Sequence, residues 1–136
     1  MADGPIELTV VTPERALVRE KVDELEIPGR EGYFGVLPDH APLFSELKVG
    51  ELSYRQGSKW VFLSVAWGFV EILSNQVRVL AETAERANEI DVDRAKRAKD
   101  RAEQLIARGG DDLDYDRAMV SLERAVVRLQ VSSKAH

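Results

Sequence analysis

The hydrophobic pattern of this chain changes its period once, near residue 88, and this change constrains the fold more than any other feature. Between residues 5 and 83, short apolar segments alternate with polar residues or stop at turn signals. From residue 88 onwards, apolar residues recur at steps of three and four. The first pattern is typical of strands and the second of amphipathic helices. We therefore expect a strand-rich part followed by a helical part.

Five segments before the boundary have strand character, namely 6–12, 16–29, 32–38, 51–65 and 66–82. Gln56-Gly57-Ser58 and Ser74-Asn75-Gln76 interrupt the last two segments, and both triplets indicate hairpin turns. Short strands separated by turns at this spacing predict an all-β sandwich or barrel.

Two helices with a short connection are predicted after the boundary. Asn88 or Asp91 can cap the first helix, and Gly109-Gly110 can end it because glycine readily adopts the left-handed conformation. An aspartate within 111–114 can cap the second, whose apolar side comprises Tyr115, Ala118, Met119, Leu122, Ala125, Val126 and Leu129. Helices joined so closely pack antiparallel. Ala95, Ala98 and Ala102 allow a close approach, and Met119, Leu122 and Leu129 are expected to fill the remaining space.

Composition excludes several classes of protein. The net charge of −5 lies entirely within residues 1–86, which argues against a nucleic-acid-binding protein. There is no cysteine, so disulfides and thiolate chemistry are excluded. The N-terminus has no signal-peptide pattern, and the most apolar segment, 65–73, is half the length of a membrane span. We expect a cytoplasmic protein that reaches a membrane only through a partner.

Catalytic motifs are missing from the sequence. It contains neither a GxxxxGK[ST] phosphate loop nor GxGxxG, and its two histidines cannot form a multi-histidine metal site. His40 and the adjacent Asp39 could form a general-base pair, but no nucleophile accompanies them. We favour a surface contact loop, and we predict no catalytic residue and no metal ligand.

The arginines of the helical part suggest a phosphate site. Arg94 and Arg101 are seven residues apart and share one stripe of the first helix, while Arg124 and Arg128 share one stripe of the second. Four guanidiniums around one spot could bind phosphate oxygens bidentately. Alternatively, these arginines pair on a solvated face with neighbouring acids, namely Asp91, Asp93, Asp100, Glu103 and Glu123.

Several motifs together resemble one family over residues 6–132. They are LTVVTPERAL, VDELEIPGREGYFGVLPDHAPL, VLAETAERA, IDVDRAKRAKDRAE and YDRAMVSLERAVVRLQV, with the GxxGVLPxHAPL pattern the most specific. The chain resembles the epsilon subunit of bacterial F-type ATP synthase, which is called delta in mitochondria. The resemblance implies an α+β protein, with an antiparallel β-sandwich at residues 1–86 and an antiparallel α-helical hairpin at 87–136.

The resemblance also implies a function. The chain would be a non-catalytic subunit of the central rotor that couples proton-driven rotation of the c-ring to ATP synthesis. Its sandwich would bind the gamma subunit and the c-ring. Its hairpin would extend to the catalytic alpha/beta head and inhibit ATP hydrolysis. The location would be peripheral, at the cytoplasmic face of the inner (plasma) membrane, without insertion into it. The alternative is a free-standing ATP-sensing module with no rotor role, and an enzyme in its own right is a third, more distant reading.

Two sets of site residues follow from the resemblance. Some bacterial members bind ATP through [IL]DxxRA and further arginines, as a regulatory ligand and not as a required cofactor. The matching positions here are Glu85, Ile90, Asp91, Arg94, Ala95, Arg101, Arg124 and Arg128. Candidate contacts to the c-ring are Arg30, Glu31, Tyr33, Asp39 and His40. Asp39 stands where glycine is common in the family, so an additional carboxylate would face the c-ring.

Overall fold

A computed structural model describes residues 4–135 and divides the chain into two compact units, Met1–Glu85 and Arg86–His136. The predicted domain boundary, between 86 and 87, lies one residue further along the chain. Residues 1–3 and 136, which the predicted domains include, lie outside the described residues. Among the described residues, the first unit consists of strands and the second of helices.

Eight strands form one sheet that folds into the two layers of a sandwich. They are β1 (Ile6–Val11), β2 (Ala16–Val22), β3 (Glu24–Gly29), β4 (Gly32–Val36), β5 (Leu43–Leu47), β6 (Gly50–Gln56), β7 (Lys59–Leu73) and β8 (Gln76–Arg86). Their order is β2-β1-β8-β7-β5-β3-β4, and β6 pairs with both β3 and β7. The predicted antiparallel sandwich is confirmed except for one pair, because β1 and β8 run parallel.

The inward side chains of the strands form one apolar core. Along β8, Val77, Val79 and Ala81 are buried while the residues between them are exposed, which is the two-residue period of a strand with one face on the core. Leu52 of β6 pairs with Leu63 of β7, and neither has measurable exposure. Burial of such large side chains contributes roughly 2–3 kcal/mol each. Burial of large apolar side chains therefore stabilises the sandwich.

A bend in β7 lets this strand belong to both parts of the sandwich. Residues 59–65 pair with β6, and residues 68–72 pair with β5. Between them, Trp67 has φ of 52° and Gly68 has φ of 131°. A Cβ at Gly68 would overlap the carbonyl oxygen of Leu80, so only glycine fits there. Strands commonly pass between layers at bends of this kind.

The strand predictions were partly right. Both predicted hairpin turns are confirmed: Gln56 pairs with Lys59 across the first, and Ser74 and Asn75 have φ of 50° and 61° in the second. The predicted separation of the segments at 65/66 was wrong because β7 runs through it. The segment 16–29 contains two strands, and β5 was not predicted.

The second unit is a helical hairpin. A short 3-10 turn at Ala87–Glu89 precedes α1 (Val92–Arg108), and α2 follows at Tyr115–Ser132. Asp91 and Asp114 are the two N-caps, and the N–H of Gly109, with φ of 62°, bonds Leu105 O at the end of α1. The second helix returns to contact the 3-10 turn, so the helices are antiparallel. Neither helix of the described residues is long and apolar enough to cross a membrane.

The hairpin is packed mainly through alanine. Its buried helical residues, here called the seam, are Ala95, Ala102, Ala118, Ala125 and Val131. Alanine at this interface lets the two backbones approach closely and adds no side-chain entropy cost. The expectation that Met119 fills the interface was wrong, because 40% of its surface is exposed, whereas Leu122 and Leu129 are half-buried.

Candidate functional site

The motif Ile90-Asp91-x-x-Arg94-Ala95 forms the start of α1. Asp91 is the N-cap, and its Oδ1 accepts a hydrogen bond of 3.1 Å from the backbone N–H of Arg94. Ile90 and Ala95 are buried, with 7% and 0% of their surface exposed. Ile90 and Ala95 therefore serve packing and Asp91 Oδ1 serves the cap, while the exposed Arg94 side chain and Asp91 Oδ2 stay accessible to a ligand.

The four arginines of interest lie on one face of the hairpin. Arg94, Arg101 and Arg124 each directly precede a seam alanine, and Arg128 lies one turn after Arg124. At about 100° per residue, all four occupy the same flank of the seam on their own helix. Two antiparallel helices that lie side by side are related by a two-fold axis perpendicular to their common plane. The equivalent flanks of α1 and α2 therefore face the same side of the hairpin. That the four guanidiniums bind one ligand stays a prediction.

A groove at the closed end of the hairpin shows which residues of α1 lie opposite which residues of α2. This loop-end groove, of about 610 Å³, has Arg101 and Ala102 of α1 opposite Ala118 and Ser121 of α2. Seven helical residues rise about 10 Å, so Arg94 lies about that far along the axis from Arg101, at the level of the turns that carry Arg124 and Arg128. The arginines are therefore divided into three at the open end and Arg101 nearer the closed end.

Burial and charge pairing differ among these arginines. Arg124 and Arg128 are half-buried, whereas Arg94 and Arg101 are exposed. Within residues 4–135, no carboxylate forms an ion pair with Arg94 or Arg101, although Lys99 pairs with Glu103 at 3.5 Å on the same helix. The ion pairs of the solvated-face alternative are therefore not formed by the α1 arginines, although both side chains are exposed. Glu85 ends the first unit, half-buried in β8, and does not belong to the hairpin.

The loop after β4 is fastened to the turn between β7 and β8. The N–H of Asp39 donates to Asn75 Oδ1 at 2.7 Å, and Asn75 Nδ2 donates to Asp39 Oδ1 at 3.0 Å. Asp39 has φ of 65°, a left-handed conformation that glycine and aspartate tolerate better than most residues. Its carboxylate thus bonds an amide, while His40 Nδ1 lies 2.6 Å from the carbonyl oxygen of Ala41. This arrangement does not form a general-base pair.

The five candidate c-ring contacts lie at two ends of the sandwich unit. Asp39 and His40 follow β4, whereas Arg30 and Glu31 precede it. Arg30 forms an exposed ion pair of 3.4 Å with Glu46 at the far end of β5. Tyr33 is 58% exposed, yet its hydroxyl accepts the backbone N–H of Glu51 at 2.9 Å. One compact contact site therefore does not include all five.

An exposed aromatic pair lies on β5 and β7 and was missed from sequence. The rings of Phe44 and Phe69 stack with centroids 5.4 Å apart, and 66% and 45% of the two residues are exposed. They are diagonal neighbours, because Phe44 pairs with Glu71 and Phe69 with Glu46. Exposed stacked aromatics are typical of protein contact surfaces. The alternation of β5 was the only local signal that could have indicated this surface.

Two protein domain families match successive parts of the chain. The first, "ATP synthase, Delta/Epsilon chain, beta-sandwich domain", matches residues 5–87, and the second, "ATP synthase, Delta/Epsilon chain, long alpha-helix domain", matches residues 88–133. The chain belongs to the delta/epsilon family of ATP synthase subunits. Members of this family are subunits of an enzyme complex.

Relatives in this family match over nearly the whole chain. The ATP synthase epsilon chain of Syntrophobacter fumaroxidans is 50% identical over 129 residues, covering 95% of this chain and 96% of the relative. That of Geobacter sulfurreducens is 44% identical over 131 residues, covering 96% and 95%. The family resemblance predicted from the sequence motifs is confirmed.

Two solved structures share the fold. A chain in the Euglena gracilis mitochondrial ATP synthase complex of OSCP, F1 and c-ring has a TM-score of 0.77 at 23% identity, covering 90% of this chain and 78% of that one. A chain of the Tetrahymena thermophila mitochondrial ATP synthase central stalk and c-ring has a TM-score of 0.58 at 14% identity, covering 98% of both. At these identities the likeness shows the fold alone.

Proposed function

We propose that the chain is a non-catalytic central-stalk subunit of F-type ATP synthase, which couples rotation of the c-ring to ATP synthesis. The observation that carries the proposal is the ordered match of both units to the two domains of one family across residues 5–133. Both structural neighbours come from complexes that contain a c-ring. The proposed location is peripheral, at the cytoplasmic face of the inner membrane.

The proposed partners of the sandwich are the gamma subunit and the c-ring. We assign the Phe44–Phe69 pair to gamma, because an exposed aromatic pair gains most from burial in a protein interface. We assign polar contacts to the c-ring at the two ends of the unit, through Arg30, Glu31 and Tyr33 and through Asp39 and His40. The two hydrogen bonds between Asp39 and Asn75 would fix the loop after β4 in position for such a contact.

The proposed ligand of the hairpin is ATP. Its phosphates would bind Arg94, Arg124 and Arg128 and extend towards Arg101, since guanidinium forks bind phosphate oxygens bidentately. The rest of the proposed set within the hairpin, retained from the family motif, comprises Ile90, Asp91 and Ala95. Asp91 uses Oδ1 to cap α1, which leaves Oδ2 for a hydroxyl or amino group of the nucleotide.

ATP would regulate the subunit by selecting one state of the hairpin. A ligand that bridges α1 and α2 binds only when the helices are paired as they are here, so it raises the population of that state. The proposed alternative state extends to the catalytic alpha/beta head and inhibits ATP hydrolysis. Cellular ATP would then relieve the inhibition.

Binding to gamma tests the rotor role. The full chain, titrated into purified gamma in a calorimeter, should bind without showing ATPase activity of its own. Replacing both Phe44 and Phe69 with alanine should weaken binding by at least about tenfold, as expected for central aromatic contacts. Tyr115→Ala, which removes an aromatic residue of 55% exposure from the hairpin, is the control. A chain that binds ATP but not gamma would instead be a free-standing ATP-sensing module.

ATP titration tests the regulatory site separately. Arg94→Ala and Arg124→Ala should each weaken ATP binding by about tenfold or more, because each removes a charged hydrogen-bond donor. Lys96→Ala removes an exposed cation of α1 that lies about 200° around the helix from Arg94, and it should change nothing. Wild-type protein that fails to bind millimolar ATP would disprove the site while leaving the rotor role intact.

A further inference from the structure

Three arginines line the loop-end groove, and two of them are outside the proposed nucleotide set. Arg101 and Arg108 come from successive heptads of α1, and Arg117 comes from the first turn of α2. All three lie on the arginine face, because 101 and 108 share a stripe and Arg117 directly precedes the seam residue Ala118. The closed end of the hairpin thus has an arginine cluster of its own.

The groove contains acids as well, but they do not neutralise these arginines by pairing. Asp111, Asp112 and Asp114 also line it. Asp114 Oδ1 accepts the backbone N–H of Arg117 at 3.1 Å as the cap of α2. Among the described residues, no carboxylate forms an ion pair with Arg101, Arg108 or Arg117. The guanidinium donors are therefore not held in ion pairs, while the carboxylate of Asp114 already occupies the N-terminal end of α2.

The groove has room for a ligand because its walls carry small residues. Ala98, Ala102 and Ala118 line its floor, and Gly109 and Gly110 contribute no side chain. Its volume of about 610 Å³ lies within the ordinary range for small-molecule sites. Leu105 and Leu113 add apolar walls beside the charged groups.

We propose that the loop-end groove is a second phosphate-binding site, built on Arg108 and Arg117 and sharing Arg101 with the nucleotide site at Arg94, Arg124 and Arg128. Its ligand class is a condensed phosphate, either free or as the phosphate chain of a nucleotide. Arginines from both helices would hold adjacent phosphate groups bidentately. Because the site spans α1, the connection and α2, its ligand favours the closed hairpin.

The test uses the full chain and inorganic pyrophosphate, titrated by calorimetry and by amide NMR at fixed ionic strength. The double variant Arg108→Ala with Arg117→Ala removes two groove cations. The double variant Arg19→Ala with Lys96→Ala removes two exposed cations outside the groove and off the arginine face, and it is the charge-matched control. Replacing Arg108 and Arg117 with lysine keeps the charge and removes the planar forks.

We expect pyrophosphate affinity to fall by about tenfold or more when Arg108 and Arg117 are replaced with alanine. Replacement with lysine should lower it by a smaller factor. The control should stay within about twofold of wild type, with wild-type shifts centred on Gly109, Gly110 and Leu113. Unchanged binding in the alanine variant, equal loss in the control, or no wild-type binding at millimolar pyrophosphate overturns it.

Two further arms identify the source of the phosphate and separate the two sites. In an Arg94→Ala background, ATP that still shifts Gly109 and Gly110 identifies a nucleotide as an occupant, whereas shifts from pyrophosphate alone identify free condensed phosphate. Pyrophosphate binding that survives Arg94→Ala supports a separate site. Pyrophosphate binding that Arg94→Ala abolishes shows a single site and overturns the proposal, without contradicting the proposed ATP function.

Discussion

The two units of this chain are held together by different amounts of buried apolar surface. The sandwich has a core of large side chains, among them Ile6, Leu25, Leu52 and Leu63, none exposed beyond 1%. The buried helical residues of the hairpin are four alanines and Val131. Because hydrophobic stabilisation scales with apolar area, the sandwich carries most of the stability. Because little apolar surface is buried between its helices, the hairpin is the part of the chain that a ligand or partner can reorganise at low free-energy cost.

The chain provides separate spectroscopic reporters for the two units. Its two tryptophans, Trp60 and Trp67, both lie in β7. Both helices of more than one turn lie in the hairpin. Tryptophan fluorescence therefore follows the sandwich, and circular dichroism at 222 nm mainly follows the hairpin. The difference in stability between the units can be measured within one molecule.

The largest effect is expected from a cavity in the sandwich. Leu63→Ala should lower the free energy of unfolding by about 2–5 kcal/mol, as is usual for a fully buried leucine. The measurement is the urea midpoint of tryptophan fluorescence. Leu73→Ala, in the same strand but 54% exposed, should cost less than about 1 kcal/mol. Equal losses in the two variants would show that the core does not dominate the stability of this unit.

The next effect tests the alanine seam. Ala102→Leu places three additional carbon atoms where 2% of the surface is exposed, and overpacking of this kind costs about 1–3 kcal/mol. The 222 nm transition should move to lower temperature while the fluorescence midpoint stays unchanged. Ala107→Leu adds the same atoms at an exposed position of α1 and should have little effect. A shift of both reporters together would mean that the units unfold as one.

Local features of the fold could be predicted from sequence, and distant ones could not. Gly57, Asp91 and Gly109 act within a few residues of themselves, so their turn and cap roles were predicted correctly. The parallel pairing of Glu7 with Gln76 has no local signal. Neither does the bend at Gly68, which depends on the close backbone of Leu80.

The same limit applies to the candidate sites. The helical period alone was enough to assign Arg94 and Arg101 to one stripe. Which residues of α2 lie opposite Arg101 depends on the length of the connection and on the seam, so the cluster with Arg108 and Arg117 was not predicted. The Phe44–Phe69 contact joins two strands and required the sheet register.

A smaller effect is expected from the helix cap, and it separates structure from ligand binding. Asp91→Ala should lower the stability of the hairpin by about 1 kcal/mol, as for other N-caps. Asp91→Asn keeps a capping oxygen and should stay near wild type in the 222 nm melt. If the Asp91 carboxylate also binds ATP, the asparagine variant should still bind ATP more weakly. A melt equally lowered by both substitutions would contradict the cap assignment.

The smallest effect is expected at the surface of the sandwich. The Arg30–Glu46 pair is more than half exposed on both sides, at 66% and 53%, so water screens it and Glu46→Gln should change the urea midpoint by less than about 0.5 kcal/mol. The partly buried pair of Arg55 with Glu24, at 2.7 Å, provides the comparison, and Glu24→Gln should cost more. If Glu46→Gln left stability unchanged but weakened binding to the c-ring, the pair would belong to the contact surface. A larger loss of stability from Glu46→Gln than from Glu24→Gln would contradict the view that burial, and not surface charge, holds this unit together.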